Sequence, residues 1–255
     1  MVRTSLLLAA ASMALGATPA GAQTARAVID RYVEVIGGRE ALAAIQTIRT
    51  ERVLTHIEEG RIIERTIYRK RPHLYRAETK HGGSSIVNGH RAWRGDLDSA
   101  GVIHWSEVDV PRGTDFEARL GWFIGYEEKG YEVVFVGTEV IDGVPMHHLQ
   151  MTWPDGVTRE LFFDVATGLF AMFKPTTWGT VRVHDFRRVG GVLFPHFTEA
   201  RGTSPTGQEV HHLNTIVSLE VNLPLSESLF VPAPPPERSS RGPTQANKRM
   251  KQRTR

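Results

Sequence analysis

Short segments in which apolar and polar residues alternate fill most of the chain between residues 48 and 221, and this period of two is typical of strands that bury one face. Glycine-containing turns such as Asn88-Gly89 and Asp142-Gly143 separate the segments. Asn-Gly between two such segments is a strong hairpin signal because both residues tolerate positive φ. The predicted strands are residues 48–57, 62–70, 74–80, 84–87, 90–94, 131–136, 144–153, 157–164, 169–174, 181–189, 192–201 and 208–221. Links this short predict an antiparallel meander, since parallel neighbours need long crossovers.

Two segments carry the longer period of a helix instead. Near the start, one apolar stripe precedes the pair Gly37-Gly38 and a second stripe follows it, which predicts a broken helix. A second helix is predicted over residues 114–128, with Thr114 or Asp115 as its cap. Residues 95–112 between strands and helix are predicted to be irregular. The stripes are formed by Val28, Ile29, Tyr32, Val33 and Ile36, by Leu42 and Ile45, and by Phe116, Leu120, Phe123 and Ile124.

One face of the predicted sheet is apolar and the other carries charges. The alternation places Leu149, Met151 and Trp153 on one side together with His147, and it groups Leu213, Val217, Leu219 and Val221 in the last strand. Two short helices cover little of so wide a sheet. We therefore expect the sheet to curve and, with the helices as a partial lid, to enclose a cavity.

The two ends of the chain differ from the middle in composition. Arg3, an apolar run over residues 6–17 and the small residues Ala20-Gly21-Ala22 follow in the order of an export signal, so residues 1–22 are predicted to be cleaved. Residues 23–232 are predicted to form one domain. After Pro232, seven basic residues against one acid lie in a sequence rich in Pro and Ser, so residues 233–255 are predicted to be a disordered basic tail.

Charge and cysteine content narrow the location and the partners. The formal net charge of +3 comes from the tail and the signal, which leaves the domain itself acidic. The absence of cysteine excludes a disulfide scaffold, a thiol nucleophile and a lipid-modified cysteine. We expect a soluble protein of the bacterial periplasm without a lipid anchor, monomeric, with no nucleic-acid partner. The tail is free to make transient contact with an anionic membrane surface.

Catalytic signatures are missing from the chain. Eleven histidines are present, but none forms H-E-x-x-H or an i, i+4 pair. The neighbours in His147-His148 and His211-His212 point to opposite faces of their predicted strands, so one of each pair can face inward, where distant strands are able to converge. Neither G-x-S-x-G nor S-x-x-K occurs. We therefore expect no enzyme, no cofactor and no metal; a metal-dependent hydrolase is the least favoured alternative.

Aromatic and large aliphatic residues on the predicted apolar face or its helical lid are the candidate ligand contacts. Such a lining binds apolar ligands by burial and needs little directional chemistry. For the lid helix the candidates are Tyr32, Ile36 and Leu42. The candidate cavity residues are Trp93, Trp122, Phe123, Phe135, Leu149, Met151, Trp153, Leu161, Phe163 and Phe173.

Five stretches within residues 27–232 resemble exported proteins of the LolA/LolB-like superfamily, the outer-membrane lipoprotein-sorting protein homologues. The stretches are "AVIDRYVEVIGGREALAAIQTIRTERV", "EEKGYEVVFVGTEVIDGVPMHHLQMTWPDG", "LFFDVATGLF", "VHDFRRVGGVLFPHFTEA" and "IVSLEVNLPLSESLFVP". The resemblance implies an α+β, mainly β fold: a large curved antiparallel sheet, an incomplete β-barrel, covered by two or three short helices. It also implies a non-catalytic carrier whose apolar cavity receives acyl chains of lipid or lipoprotein.

Two functions remain open at this point. The first is a soluble periplasmic binding or carrier protein for acyl chains. The second is a structural or interaction module of the cell envelope whose barrel is filled by its own side chains. Fold alone does not decide between them; the size and lining of the cavity do.

Overall fold

The computed structural model describes residues 24–109, 123, 125–175 and 178–233. The predicted export signal and all but the first residue of the predicted tail lie outside these ranges. The described residues form two α-helices, thirteen β-strands and one short 3-10 helix at Glu227–Phe230. The helices are α1 (Ala25–Val35) and α2 (Gly38–Ala44). The strands are β1 (Thr47–His56), β2 (Arg61–Lys70), β3 (Leu74–Thr79), β4 (Ser84–Asn88), β5 (Arg91–Leu97), β6 (Ile103–Val108), β7 (Glu132–Ile141), β8 (Val144–Thr152), β9 (Thr158–Asp164), β10 (Phe170–Pro175), β11 (Thr180–Val189), β12 (Val192–Thr203) and β13 (Glu209–Val221).

All thirteen strands belong to one antiparallel sheet in the order β6-β5-β4-β3-β2-β1-β13-β12-β11-β10-β9-β8-β7. Each half is a meander of hairpins, and the pairing of β1 with β13 joins the two halves in the middle. Within the described ranges, β6 and β7 are the edge strands, so the sheet is open. This confirms the predicted fold class: mainly β, one large antiparallel sheet that does not close, and two short α-helices.

The β1–β13 pairing contains a bulge that changes which residues face inward. Ile48 lies opposite Val221, but the register shifts beyond Glu51, so that Arg52 lies opposite Ile216. An extra residue in one strand reverses the alternation beyond it. Val217 is therefore 63% exposed, and Leu213, which pairs with Thr55, faces the side opposite to Leu219. The predicted grouping of Leu213 and Val217 with the apolar face is wrong, and Ile216 takes the place of Val217.

The structure has one strand near an edge of the sheet, β6, that the sequence does not predict, and its strands β5 and β7 are longer than predicted. Residues 95–112 were expected to be irregular, yet β5 continues to Leu97 and β6 spans Ile103–Val108. As an edge strand β6 is largely exposed, so it has no buried face to impose a clear alternation. Strand β7 runs on to Ile141 because a bulge between Phe135 and Gly137 carries it past the glycine.

Most of the second predicted helix, residues 114–128, lies outside the described residues. Its expected end is described: residues 125–130 form turns rather than a helix. The Tyr131 amide donates to the Tyr126 carbonyl at 3.0 Å, which closes the turn before β7. The prediction of helix up to residue 128 is wrong at this end.

The main core lies between the helices and one face of the sheet. Helix α1 is capped at its N-terminus by Thr24, whose hydroxyl accepts a hydrogen bond from the Ala27 amide at 3.1 Å. Its apolar stripe, including Ile29 and Val33, is buried with residues of β8, β9 and β10. At the end of α1, the Ile36 carbonyl accepts from the Leu193 amide at 2.7 Å, which fixes the helix to β12.

The joint between the two helices lies against the β11–β12 turn. Gly37 has φ of 135° and Gly38 has φ of 84°, both in the region that favours glycine. A Cβ atom on Gly37 would lie 2.6 Å from the Gly191 carbonyl oxygen, whereas one on Gly38 would meet nothing within 4 Å. The Gly-Gly pair thus serves both a change of direction and, at Gly37, a close backbone contact.

The opposite, convex face of the sheet carries the C-terminal segment. Leu225, Leu229 and Phe230 accept hydrogen bonds through their carbonyls from Lys70, Arg76 and Asn88 on β2, β3 and β4, at 3.1, 2.9 and 3.2 Å. Phe230 is fully buried there. Among the described residues, no helix is long and apolar enough to cross a membrane.

Candidate ligand cavity beneath the N-terminal helix

A cavity of about 180 Å3 lies between the helices and the concave face of the sheet. One wall is formed by α1 and α2, and the other by β1, β2 and β10–β13 with Phe123. The lining residues are Tyr32, Val33, Ile36, Leu42, Ile48, Thr50, Arg52, Arg69, Phe123, Phe170, Phe173, Val183, Val192, Leu193, Phe194, Pro195, Thr198, Ile216 and Leu219. Most of these side chains are aliphatic or aromatic, so the lining suits an apolar ligand group.

Tyr32 is the largest side chain that α1 contributes to the cavity. Its ring packs edge-to-face against Phe123 and Phe163, with ring centroids 5.4 and 5.5 Å away. The residue is half-buried against the main core, and desolvation raises the pKa of its hydroxyl above the ordinary value of 10.0. Tyr32 is therefore neutral and lines the cavity as an aromatic group.

Two arginines interrupt the apolar lining on one side. Arg52 of β1 and Arg69 of β2 face the cavity next to Thr50, and the Arg69 guanidinium also lies 5.7 Å from the centre of the Tyr75 ring. No Asp or Glu occurs among the described residues that line the cavity. The polar side of the cavity is therefore formed by two guanidinium groups and the Thr50 hydroxyl.

The structure brings part of the predicted site together. The predicted lid residues Tyr32, Ile36 and Leu42 line the cavity, as do Phe123 and Phe173. A second group lies on the same side of the sheet but in closed core that does not border the cavity. This group is Leu149, Met151, Trp153, Leu161 and Phe163, all of them buried.

Two predicted residues lie elsewhere, and a third is not among the described residues. Phe135 packs half-buried against the edge of the core, 5.8 Å from the His147 ring. Trp93 is on the convex face, because its neighbour Ala92 occupies the concave side, and the Arg91 guanidinium covers its ring at 4.7 Å. Trp93 therefore does not line the cavity. Trp122 lies outside the described residues.

Sequence reasoning missed the lining residues of β10–β12. Phe170, Val183, Val192 and Phe194 lie in strands that were predicted, but which strands pass beneath the helix depends on the curvature of the whole sheet. An apolar alternation was the available signal, and it does identify Leu219 on β13. The missed arginines carry no such signal.

The cavity is smaller than a complete acyl chain requires. A dry cavity of about 150 Å3 accepts one benzene molecule, and sites for drug-sized ligands begin near about 300 Å3. In this conformation the space therefore holds a few carbon atoms. A longer chain requires a larger space, which displacement of α1 from the sheet would supply.

Structural comparisons place the fold among known proteins. The chain is similar to a DUF1329 family protein from Desulfovibrio piger, with a TM-score of 0.57, 13% identity and coverage of 81% of this chain and 96% of that one. A LolA superfamily protein from Nitrosomonas europaea gives a TM-score of 0.57, 15% identity and coverage of 83% and 99%. An outer membrane lipoprotein-sorting protein domain from Vibrio parahaemolyticus gives 0.53, 12% identity and coverage of 79% and 97%. At such low identities the likeness concerns the fold.

The sequence itself matches less than the structure does. No protein-family model matches the chain, and no curated protein matches it in sequence. The similarity of fold covers 79–83% of the chain and confirms the resemblance seen in the sequence at the level of the fold.

Proposed function

We propose that this protein, which has the LolA-like fold, is an exported and non-catalytic binding protein that takes acyl chains of lipid or lipoprotein into the cavity beneath α1. The observation that carries the proposal is an apolar cavity whose lid is a short amphipathic helix rather than the sheet itself. The periplasm is the compartment that the export signal and this ligand class support.

Opening of α1 is the step on which binding depends. Each acyl methylene that leaves water contributes about 0.8 kcal/mol, so a chain of ordinary length offers several kcal/mol to offset the contacts that α1 loses. At its end, α1 is tied by the hydrogen bond from Leu193 to Ile36. Among the described residues, the start of α1 has no such backbone hydrogen bond to the sheet; besides its buried side chains Val28 and Ile29, it has an exposed ion pair from Arg26 to Glu127, in the turn before β7, at 3.5 Å. The start of α1 is therefore the end that we expect to lift.

The charged side of the cavity favours a particular head group. Arg52 and Arg69 line the cavity beside apolar side chains, and a guanidinium forms strong, paired hydrogen bonds with carboxylate or phosphate oxygens. An acyl chain with an anionic head is therefore favoured over a neutral one of equal length. The comparison of a fatty acid with the corresponding fatty alcohol measures this preference.

The proposal is tested by native mass spectrometry and lipid extraction of the purified protein, together with titration of a fluorescent fatty acid. We expect co-purified lipid or saturable binding of the probe. Leu219→Trp fills the cavity from β13 and should weaken probe binding. Val217→Trp, two residues away and 63% exposed, is the matched control and should bind normally. Absence of lipid together with absence of probe binding contradicts the proposal.

The second function, an envelope module filled by its own side chains, is favoured by one observation, the volume of about 180 Å3. In that case α1 is a fixed plug. Probe binding would then be absent, and Leu219→Trp would lower stability without any effect on ligand. The two functions thus differ in the first titration.

The tail and the oligomeric state remain predictions. Basic residues after Pro232 are expected to bind anionic vesicles weakly, because the attraction between clustered charges and phosphates falls as salt rises. Truncation after Pro232 should abolish that binding and leave probe binding intact. Light scattering should show a monomer.

A further inference from the structure

A cluster of two histidines and one glutamate lies at the opposite end of β1 from the helices. His56 ends β1, and His212 of β13 lies directly opposite it. The two residues face each other across the β1–β13 pairing that joins the halves of the sheet, which we call the seam. Directly paired residues of antiparallel strands share one face, so both imidazoles point to the concave side. Glu59 follows in the turn that the Gly60 amide closes onto the Ile57 carbonyl at 3.2 Å.

The three side chains converge closely enough to share an ion. The His56 and His212 ring centres are 4.0 Å apart, and His56 Nδ1 lies 3.7 Å from the Glu59 carboxylate. Potential ligand atoms of all three lie within 4.8 Å of one another. Among the described residues, this is the one group of three or more potential ligands at such distances.

We propose that His56, Glu59 and His212 form a binding site for a divalent metal ion of the zinc class. Two imidazoles and one carboxylate are a ligand set that suits zinc, with a fourth position left to water. Zinc–nitrogen and zinc–oxygen bonds of about 2.0–2.2 Å require donor atoms about 3–3.5 Å apart. The side chains therefore need to close by about one ångström, which rotation of an exposed glutamate in a turn permits.

Arg61 competes with a metal ion for this site. Its Nε donates to the Glu59 carboxylate at 2.8 Å, and its guanidinium lies 3.2 Å from His56 Nδ1. The Arg61 side chain is 51% exposed, so it is free to turn into solvent when an ion arrives. The guanidinium thus holds the ligands together in the metal-free state, and its removal should strengthen metal binding.

A metal ion at this site would join the two halves of the sheet. His56 and Glu59 belong to the first meander, and His212 belongs to the second. An ion that binds only the folded protein stabilises it in proportion to its free concentration. Bound metal should therefore raise the melting temperature and protect the end of the seam from hydrogen exchange. The cavity beneath α1 shares none of these three ligands, so the site is independent of the proposed lipid function.

The experiment uses the purified protein without a histidine tag, titrated with Zn2+ by calorimetry and with Ni2+ by fluorescence. Trp178 lies 6.5 Å from the His212 ring, so Ni2+ at the site should quench it, and Trp178→Phe should remove that signal. We expect one ion per chain with a dissociation constant in the micromolar range or below.

Variants separate a built site from scattered surface histidines. His212→Asn and Glu59→Gln should weaken binding by about tenfold or more, since even the loss of a group that only supports a ligand has effects of that size. His211→Asn, the adjacent residue, which faces Glu199 at 3.0 Å instead, should bind as the unchanged protein does. Arg61→Gln should bind more tightly.

Two results would overturn the proposal. One is the absence of a saturable 1:1 phase with either metal. The other is equal weakening by His211→Asn and His212→Asn, which would indicate adventitious binding. If His212→Asn fails to fold, Arg61→Gln decides the question, because tighter binding in that variant is expected only if the guanidinium occupies a metal site.

Discussion

Gly37→Ala should destabilise the protein far more than Gly38→Ala, although the two glycines are adjacent. A Cβ atom at position 37 would lie 2.6 Å from the Gly191 carbonyl oxygen and 3.3 Å from the Val192 Cα. Both partners are backbone atoms, so neither can move aside by a change of rotamer. At position 38 the added Cβ meets nothing within 4 Å.

The expected magnitudes follow from the backbone and the contact together. An alanine forced to φ near 135° costs about 1–3 kcal/mol in strain, and an overlap in packed structure adds about 1–3 kcal/mol. Gly37→Ala should therefore cost about 2–6 kcal/mol. Gly38→Ala carries only the cost of a left-handed conformation, about 1–2 kcal/mol. The total free energy of unfolding of a folded domain is about 5–15 kcal/mol, so the loss at position 37 is a large share of it.

Urea unfolding of both variants, followed by circular dichroism, measures the difference in the free energy of unfolding. Hydrogen exchange shows where the destabilisation occurs. In Gly37→Ala the amides of α2 and of the β11–β12 turn should lose protection first. Equal destabilisation by the two variants would refute the argument, since it would mean that the contact between position 37 and the turn does not restrain the fold.

Three further perturbations test other parts of the structure. Phe162→Ala should cost about 3–5 kcal/mol in urea unfolding, because Phe162 is fully buried on the convex face, and it should leave probe binding unchanged; a loss below 1 kcal/mol would contradict that burial. Thr24→Ala should cost about 1 kcal/mol through loss of the helix cap, whereas Thr24→Ser should cost little; equal losses would argue against the cap. Burial lowers the pKa of His147 below its ordinary value of 6.5, so the unfolded chain takes up the proton first and the free energy of unfolding falls as pH drops below about 6.5. His147→Gln should reduce this dependence of the free energy of unfolding on pH, and an unchanged dependence would contradict the assignment.

Local pattern predicts the strands and the lid helix well, because both depend on short-range spacing. Tyr32, Ile36 and Leu42 were expected to face the sheet from the helical period alone, and they line the cavity. The predicted strands correspond to most of those in the structure. What local pattern cannot supply is a bulge: the shift beyond Glu51 exchanges Val217 for Ile216, and nothing in the residues themselves marks it.

Residue type misleads where direction matters. Trp93 was expected in the cavity because it is a large aromatic residue, but Ala92 occupies the concave side and Trp93 lies on the convex face under Arg91. The cation–π contact with a guanidinium stabilises a tryptophan side chain at the surface. Likewise, the convergence of His56 and His212 depends on the pairing of the first strand with the last. No short stretch of sequence contains that information.

The seam between β1 and β13 also sets the order in which the protein can form. Arg49 and Glu220, which pair across it at 2.7 Å, are 171 residues apart. Each meander has mostly local contacts and is able to assemble by itself, but the seam must wait until nearly the whole chain is present, and distant pairing slows folding. When the N-terminal part of the chain becomes available first, β1 therefore has an unpaired edge until β13 is present to pair with it. During that interval the edge is open to strand exchange with a second chain, so folding yield should fall steeply with protein concentration.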